Sequence, residues 1–170
     1  TTIKFCMAGN ETEGLRYGTL LTPEKFYEEW KEDGFKEHPE ERAPLDVTIS
    51  QTCEKISNCL LKSLYAMFQK QRLLDLIFNF VVFDKGIKKV CRYNQYYGVK
   101  RAQSRLFNLQ KAIHDPKWDK AKPKGGIIWH TQGSGKTLTM IWLTKWILSH
   151  WEEKNPRVLI VTDRDELDEQ

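Results

Sequence analysis

The fold is decided by residues 126–137, which read Gly-Ile-Ile-Trp-His-Thr-Gln-Gly-Ser-Gly-Lys-Thr. A short apolar run opens this stretch, a glycine-rich turn follows, and a helical pattern continues to about residue 151. A second short apolar run covers residues 157–161. Short apolar runs on both sides of a helix predict a right-handed βαβ unit in a parallel sheet. The sequence therefore predicts an α/β protein.

The turn in this stretch lies where a parallel sheet binds ligands, between the carboxyl end of a strand and the start of a helix. Gly133 and Gly135 let backbone N–H groups approach a phosphate closely. Lys136 is suited to reach the β- and γ-phosphates, and the Thr137 hydroxyl is suited to hold Mg²⁺. His130 stands where the strict phosphate-loop pattern has its first glycine. The predicted site for nucleotide phosphates and Mg²⁺ consists of Thr131, Gln132, Gly133, Ser134, Gly135, Lys136 and Thr137.

The chain begins with a predicted β segment and continues into a predicted connector. Apolar residues alternate loosely over 1–21 around a Gly-Asn turn, which predicts a pair of short strands. Thr22, Pro23 and Glu24 have the residue types of a helix cap and first turn, so they predict a short amphipathic helix that ends at Gly34. The prolines and mixed charges that follow predict a connecting segment.

The middle of the chain has helical patterning. Apolar residues recur at spacings of three and four from about 47 to 71, which predicts one helix with a buried stripe. Residues 73–83 fit either a buried strand or a continuing helix, because periodicity alone does not separate the two. Residues 88–112 predict a further helix with basic side chains interleaved. The tryptophans at 142, 146 and 151 are interpreted as core or interface aromatics.

The net charge of +4 conceals a strong asymmetry along the chain. Residues 1–50 carry 6 basic and 11 acidic side chains, residues 51–124 carry 16 and 5, and residues 125–170 carry 5 and 7. The basic middle third is suited to contact the phosphates of a nucleic acid. A solvated helix face or a partner subunit explains the same charges equally well, so both alternatives stay open.

Composition and residue spacing argue against a membrane-spanning protein, a zinc site and a secreted protein. The chain has 40% hydrophobic and 29% charged residues, which suits a globular protein, and its longest apolar run, 73–83, is broken by Asp75 and Asn79. The four cysteines form no pair at metal-ligand spacing. The absence of a signal pattern predicts a cytoplasmic protein, and the missing initiator methionine predicts a fragment.

Four blocks of sequence resemble the motor (R, or HsdR) subunit of type I restriction enzymes, which are members of helicase superfamily two. These blocks lie at 72–84, 92–100, 126–137 and 161–170, in the order that the family has. The third block, with His130, is far more specific than a bare phosphate loop. The resemblance implies a RecA-like phosphate-loop lobe, incomplete in this chain, that is preceded by a helical connector and a short β segment.

The resemblance also implies roles for particular residues. Gln95 is similar to the glutamine whose amide pairs with the adenine edge. Thr162 and Arg164 are similar to residues of the family's motif Ia, which contacts the DNA backbone, although capping of a helix explains this segment nearly as well. The implied partners are double-stranded DNA and the methyltransferase and specificity subunits. No catalytic residue is expected here, because the sequence has no Asp-Glu-x-His box and no nuclease constellation.

The resemblance divides the chain into three parts. Residues 1–21 are expected to be the tail of a nuclease domain, residues 22–84 a mostly helical connector, and residues 85–170 the start of the first motor domain. The parent is expected to be an ATP-dependent DNA translocase and endonuclease. Three alternatives remain: another superfamily-two translocase or helicase, a small-molecule kinase with the same loop, and a scaffold with a decayed loop.

Overall fold

The computed structural model describes residues 5–32, 44–113, 125–151 and 155–161. The elements in these residues, in chain order, are β1 Cys6–Asn10, β2 Gly14–Gly18, β3 Glu28–Glu29, α1 Pro44–Cys53, α2 Cys59–Phe68, α3 Lys70–Asn79, β4 Val81–Asp84, β5 Ile87–Val90, α4 Tyr93–Ile113 and α5 Lys136–His150. Strands and helices both contribute, so the α/β class is confirmed.

The first three strands form an antiparallel sheet in the order β1-β2-β3. The turn between β1 and β2 is fixed by the Asn10 side-chain oxygen, which accepts hydrogen bonds from the backbone N–H groups of Thr12 at 3.0 Å and Glu13 at 2.7 Å. Gly14 then takes a φ of +80°, a conformation that glycine adopts without steric cost. The predicted pair of strands near the N-terminus is therefore confirmed.

The helix predicted from Thr22 does not form. One turn of 3₁₀ helix covers Glu24–Phe26, and the chain then pairs as β3 with β2. The free edge of β2 offers backbone hydrogen bonds to an extended segment, and this pairing outweighs the local helix signal. The extended course also carries Trp30 into the core, where its side chain is 4% exposed.

The stretch predicted as one helix over 47–71 is two helices. α1 ends at Cys53, and α2 begins after Asn58, whose side-chain oxygen accepts from the backbone N–H of Leu61 at 3.0 Å. This capping bond satisfies a donor that the first turn of a helix leaves open. The run 73–83, which fitted either a helix or a strand, contains the end of one and the start of the other. Helix α3 ends at Asn79, and strand β4 begins at Val81.

A two-residue turn joins β4 to β5. Lys85 and Gly86 both have positive φ angles, +49° and +80°, which is the turn geometry that matches the twist of an antiparallel hairpin. The hairpin occupies residues that were predicted to begin a helix at 88, so α4 starts only at Tyr93.

A buried ionic cluster joins the N-terminal segment to α1 and α3. Arg72 is fully buried and forms ion pairs with Glu32 and with Asp46, the latter at 2.7 Å. The Trp30 indole N–H donates to the Glu32 carboxylate at 2.8 Å. The Arg72 guanidinium also lies 5.6 Å from the centroid of the Tyr96 ring on α4. Four segments of the chain are thereby held around one charge.

The predicted parallel sheet is not present in the described residues, where both sheets are antiparallel. Residues 126–129 and 157–161 were predicted as strands, but neither stretch is paired. A parallel strand exists only through hydrogen bonds to neighbouring strands. Their side chains are correspondingly open, with Ile127 91%, Trp129 88% and Leu159 87% exposed. The helix between them is confirmed as α5, with Trp142 and Trp146 buried.

Candidate functional site

The phosphate loop precedes α5 and is shaped by two glycines. Gly133 and Gly135 have φ angles of +76° and +77°, in the region that side chains with a Cβ atom rarely adopt. Gly135 is the residue immediately before α5, whose first turn presents backbone N–H groups without acceptors inside the helix. These donors and the positive end of the helix dipole make the start of α5 suited to an anion.

Several donors converge on the Thr131 carbonyl. The Lys136 ammonium donates to it at 2.8 Å, the Ser134 hydroxyl at 2.7 Å and the Ser134 backbone N–H at 3.3 Å. The loop is thus closed on itself between residues 131 and 136. A phosphate is a charged acceptor and binds an ammonium more strongly than a neutral carbonyl does. Lys136 is therefore placed to exchange this carbonyl for a phosphate oxygen.

Gln95 ties α4 to the phosphate loop. Its side-chain nitrogen donates to the carbonyl oxygens of Ser134 and Gly135, each at 3.0 Å. Its side-chain oxygen accepts from the backbone N–H of Arg92 at 2.8 Å, and the residue is only 2% exposed. The fit is close, because a Cβ atom on Gly135 would lie 2.4 Å from the Gln95 amide nitrogen. The glutamine and the loop, which are 40 residues apart in sequence, form one unit.

His130 packs against α4, the helix that carries Gln95. A Cβ atom added to Gly98 of α4 would lie 3.2 Å from the Nε2 atom of His130, so the absence of a side chain at Gly98 leaves room for the imidazole. Burial, and to a lesser degree the Lys136 ammonium, lower the pKa of His130 below its usual value. The imidazole is therefore neutral at pH 7. Gly98 was not among the predicted site residues, although a glycine within a helical pattern is the signal that marks it.

Part of the basic block forms ion pairs or hydrogen bonds with neighbouring groups. Lys100 forms an ion pair with Asp75 at 3.0 Å, and Arg92 forms one with Glu28 at 2.7 Å. Lys89 pairs with Asp84. The Arg105 side chain donates to the Gly125 carbonyl at 2.8 Å. These contacts favour a structural role for the side chains involved, and they reduce the charge that is open to a nucleic acid.

The predicted nucleotide residues lie together, with Gln95 bonded to the loop formed by 131–137. Within that loop, Thr131, Gln132 and Lys136 are exposed, Ser134 is buried, and Thr137 is half-buried. The predicted DNA contacts Thr162 and Arg164 lie outside the described residues. Among the residues that the structure does describe, no group of three or more His, Cys, Asp or Glu side chains is placed to hold a metal ion. The helices in these same ranges are too short or too polar to cross a membrane.

A cavity of about 510 Å³ opens beside the phosphate loop. Three groups of residues line it: residues from 17 to 28, residues from 87 to 95, and Gly133, Gly135 and Leu138 from the loop and the first turn of α5. Its volume is in the range of pockets that hold small ligands. The first of these stretches was not predicted to belong to the site, because nothing in the sequence links residue 26 to residue 133.

Comparison with known proteins finds relatives for the segment that contains these residues. Residues 94–170 match the family model of the SWI2/SNF2 ATPases, which includes Gln95 and the whole phosphate loop. The match begins nine residues after the start of the predicted motor segment, 85–170. No solved structure matches the chain significantly.

The chain is also similar to endonuclease subunits of type I restriction enzymes. It is 38% identical over 115 residues to the HindI endonuclease subunit of Haemophilus influenzae, an alignment that covers 63% of this chain and 10% of that protein. It is 33% identical over 114 residues to the putative MjaVIIIP endonuclease subunit of Methanocaldococcus jannaschii, covering 64% of this chain and 10% of that protein. The chain thus spans about a tenth of the length of these relatives. The resemblance predicted from the sequence blocks is confirmed.

Proposed function

We propose that this chain, a relative of type I restriction endonuclease subunits with a SWI2/SNF2-type ATPase segment, binds ATP with Mg²⁺ at the phosphate loop of residues 131–137. The observation that carries the proposal is the pair of hydrogen bonds from the Gln95 amide to the Ser134 and Gly135 carbonyls. These bonds connect the residue proposed to read the base with the loop proposed to hold the phosphates.

The roles within the site follow from the chemistry of each group. Lys136 neutralises the β- and γ-phosphates, and the free N–H groups at the start of α5 donate to the phosphate oxygens. The Thr137 hydroxyl holds Mg²⁺, which neutralises phosphate charge when it is bound. Gln95 keeps one acceptor lone pair open, whereas both of its amide hydrogens already donate to the loop. A base that used one of those hydrogens would therefore loosen the loop.

The role proposed for the whole protein follows its relatives. Residues 85–170 would be the beginning of the first motor domain of an R subunit. The RecA-like parallel sheet that the family resemblance implies would need further strands, because both sheets in the described residues are antiparallel. The parent would use ATP to pull double-stranded DNA in the cytoplasm, together with methyltransferase and specificity subunits, and would cleave it. Thr162 and Arg164 are proposed contacts to the DNA backbone.

Calorimetry with Mg-ATP tests the nucleotide site directly. The wild-type chain should bind Mg-ATP, Lys136→Ala should lose binding because the phosphates lose their cation, and Gln95→Ala should bind more weakly and with less preference for adenine. Lys145→Ala, a lysine on the same helix beyond its first turn, is the matched control and should bind as the wild type does. Circular dichroism establishes that each variant is folded.

Two results would contradict the proposal. If folded wild-type protein binds no Mg-ATP at millimolar concentration, the phosphate loop is not a nucleotide site in this chain. If Lys136→Ala binds Mg-ATP with unchanged affinity, the nucleotide site lies away from Lys136. Binding is expected without measurable hydrolysis, because the sequence lacks the Asp-Glu-x-His box that positions water and metal. Steady turnover of ATP by this chain would contradict that second expectation.

The SWI2/SNF2 match favours a second candidate, a superfamily-two DNA translocase without a nuclease. The two candidates share the nucleotide site and differ in what the parent does to DNA. Incubating the parent protein with its partner subunits, ATP and unmodified circular duplex separates them. Linear product supports the restriction enzyme, and ATP consumption with intact circles supports the second candidate.

A further inference from the structure

The cavity beside the phosphate loop has a wall that comes from the N-terminal sheet. Gly133, Gly135 and Gln95 line it where the phosphate loop meets α4, so it is continuous with the proposed nucleotide site. Leu21, Pro23 and Phe26 line it from the segment between β2 and β3. A nucleotide has charged phosphates and a flat base with apolar faces. The cavity offers phosphate-binding backbone and an apolar wall in one space.

This wall is anchored to the segment that carries Gln95. The Tyr17 hydroxyl donates to the Cys91 carbonyl at 2.9 Å, and the Thr19 hydroxyl donates to the Lys88 carbonyl at 2.5 Å. Glu28 forms its ion pair with Arg92 at the other end of the same stretch. Contacts at both ends hold the intervening residues in position. A wall that is already ordered loses less entropy when a ligand packs against it.

Phe26 is the exposed aromatic side chain of this wall, whereas Tyr17, the other aromatic residue that lines the cavity, is fully buried. It is 52% exposed although it is a large apolar residue, and the Lys25 ammonium lies 4.9 Å from its ring centroid. Aromatic side chains that are open to a cavity are suited to stack on a nucleic-acid base, and such stacking tolerates any base because every base has a π face. Gln95, in the same cavity, has one acceptor lone pair open to the polar edge of a base.

We propose that residues 17–28 form the base-side wall of the nucleotide site, with Phe26 stacking on the base. This inference rests on the proposed binding of ATP at the phosphate loop. Under this inference the N-terminal sheet and its connecting segment contact the nucleotide, although they lie outside the segment that matches the ATPase family model.

Two ligands, one with and one without the nucleoside, test the inference. Mg-tripolyphosphate carries the phosphates of ATP without its nucleoside, so calorimetry of both ligands separates the two ends of the site. Phe26→Ala should weaken Mg-ATP binding about tenfold and leave Mg-tripolyphosphate binding unchanged, since stacking on an aromatic residue contributes roughly that factor. Phe68→Ala, on α2 and exposed to a similar extent at 46%, should change neither affinity.

The outcomes are distinguishable. If Lys136→Ala loses both ligands while Phe26→Ala changes neither, the nucleotide site stands and the base-side wall is wrong. If Phe26→Ala weakens both ligands equally, its effect is structural and the inference is also overturned. If the wild type binds neither ligand, the proposed function itself fails. Phe26→Tyr, which keeps the aromatic ring, should bind both ligands like the wild type, and this result would assign the loss in Phe26→Ala to the missing ring.

Discussion

At the scale of single residues, the pKa of His130 depends on a charge in the phosphate loop. Its pKa is lowered first by burial and second by the Lys136 ammonium. Replacing Lys136 with Met should therefore raise the His130 pKa only part of the way to its usual value of about 6.5. Proton NMR titration of the imidazole measures this shift. Lys145→Met is the control and should leave the pKa unchanged, whereas an unshifted pKa in Lys136→Met would show that the ammonium does not face His130.

The same lowered pKa has a consequence for stability. The unfolded chain takes up a proton on this histidine near pH 6.5, and the folded chain takes it up at a lower pH. The unfolded state therefore binds more protons between the two values. The contribution of His130 to the free energy of unfolding accordingly falls as pH decreases through that window, and it is restored above it.

At the scale of secondary-structure elements, Arg72 links α3 to its neighbours. Replacing Arg72 with Met would leave the Glu32 and Asp46 carboxylates buried without their cation. Removing one partner of a buried ionic cluster costs about 3–5 kcal/mol. Urea unfolding of the variant should show a loss of that size, with Arg16→Met on the exposed face of β2 as the control, which should stay within about 0.5 kcal/mol of the wild type.

A triple variant completes this test. Adding Glu32→Gln and Asp46→Asn to Arg72→Met removes the uncompensated charges, so part of the lost stability should return. If the triple variant is as unstable as the sum of its single changes, the cluster acts through packing and not through charge.

The elements also show what local sequence predicts and what it does not. α5 was predicted from its own apolar spacing and from the glycine before it, and the prediction is confirmed. The helix expected from Thr22 was wrong, although its cap residues were favourable, because the edge of β2 lies beside this segment only in the folded chain. The break between α1 and α2 depends on the cap at Asn58, which a search for apolar periodicity does not detect.

At the scale of the whole molecule, three buried tyrosines make the stability of the fold depend on pH. Burial raises the pKa values of Tyr17, Tyr96 and Tyr97 well above the usual value, and for all three it is the largest cause. The folded chain keeps these protons when the unfolded chain releases them near pH 10, so stability falls as pH rises above about 10.

Alkaline titration followed by tyrosinate absorbance measures this effect. Half of the six tyrosines should ionise only together with the loss of the circular dichroism signal. Ionisation of all six before any loss of structure would contradict the buried positions of these three rings. Tyr17→Phe should reduce the late-ionising set by one.

The arrangement of the whole site was only partly predictable. The loop residues and Gln95 could be identified because their types and order carry the phosphate chemistry and the family resemblance. The wall formed by residues 17–28 could not, since it reaches the loop through contacts such as that of Tyr17 with Cys91, 74 residues away in sequence. Contacts over such distances depend on packing, which no local pattern encodes.

The exposed apolar side chains at Ile127, Trp129, Leu159 and Val161 affect how this chain behaves in a test tube. Extended, unpaired apolar segments tend to pair with one another between copies, so the chain should aggregate as its concentration rises. Phosphate and sulfate strengthen the association of apolar surfaces, and the same anions compete for a phosphate loop. A buffer that contains either anion should therefore both promote aggregation and compete for the ligand site, and chloride buffers at low protein concentration should reduce both effects.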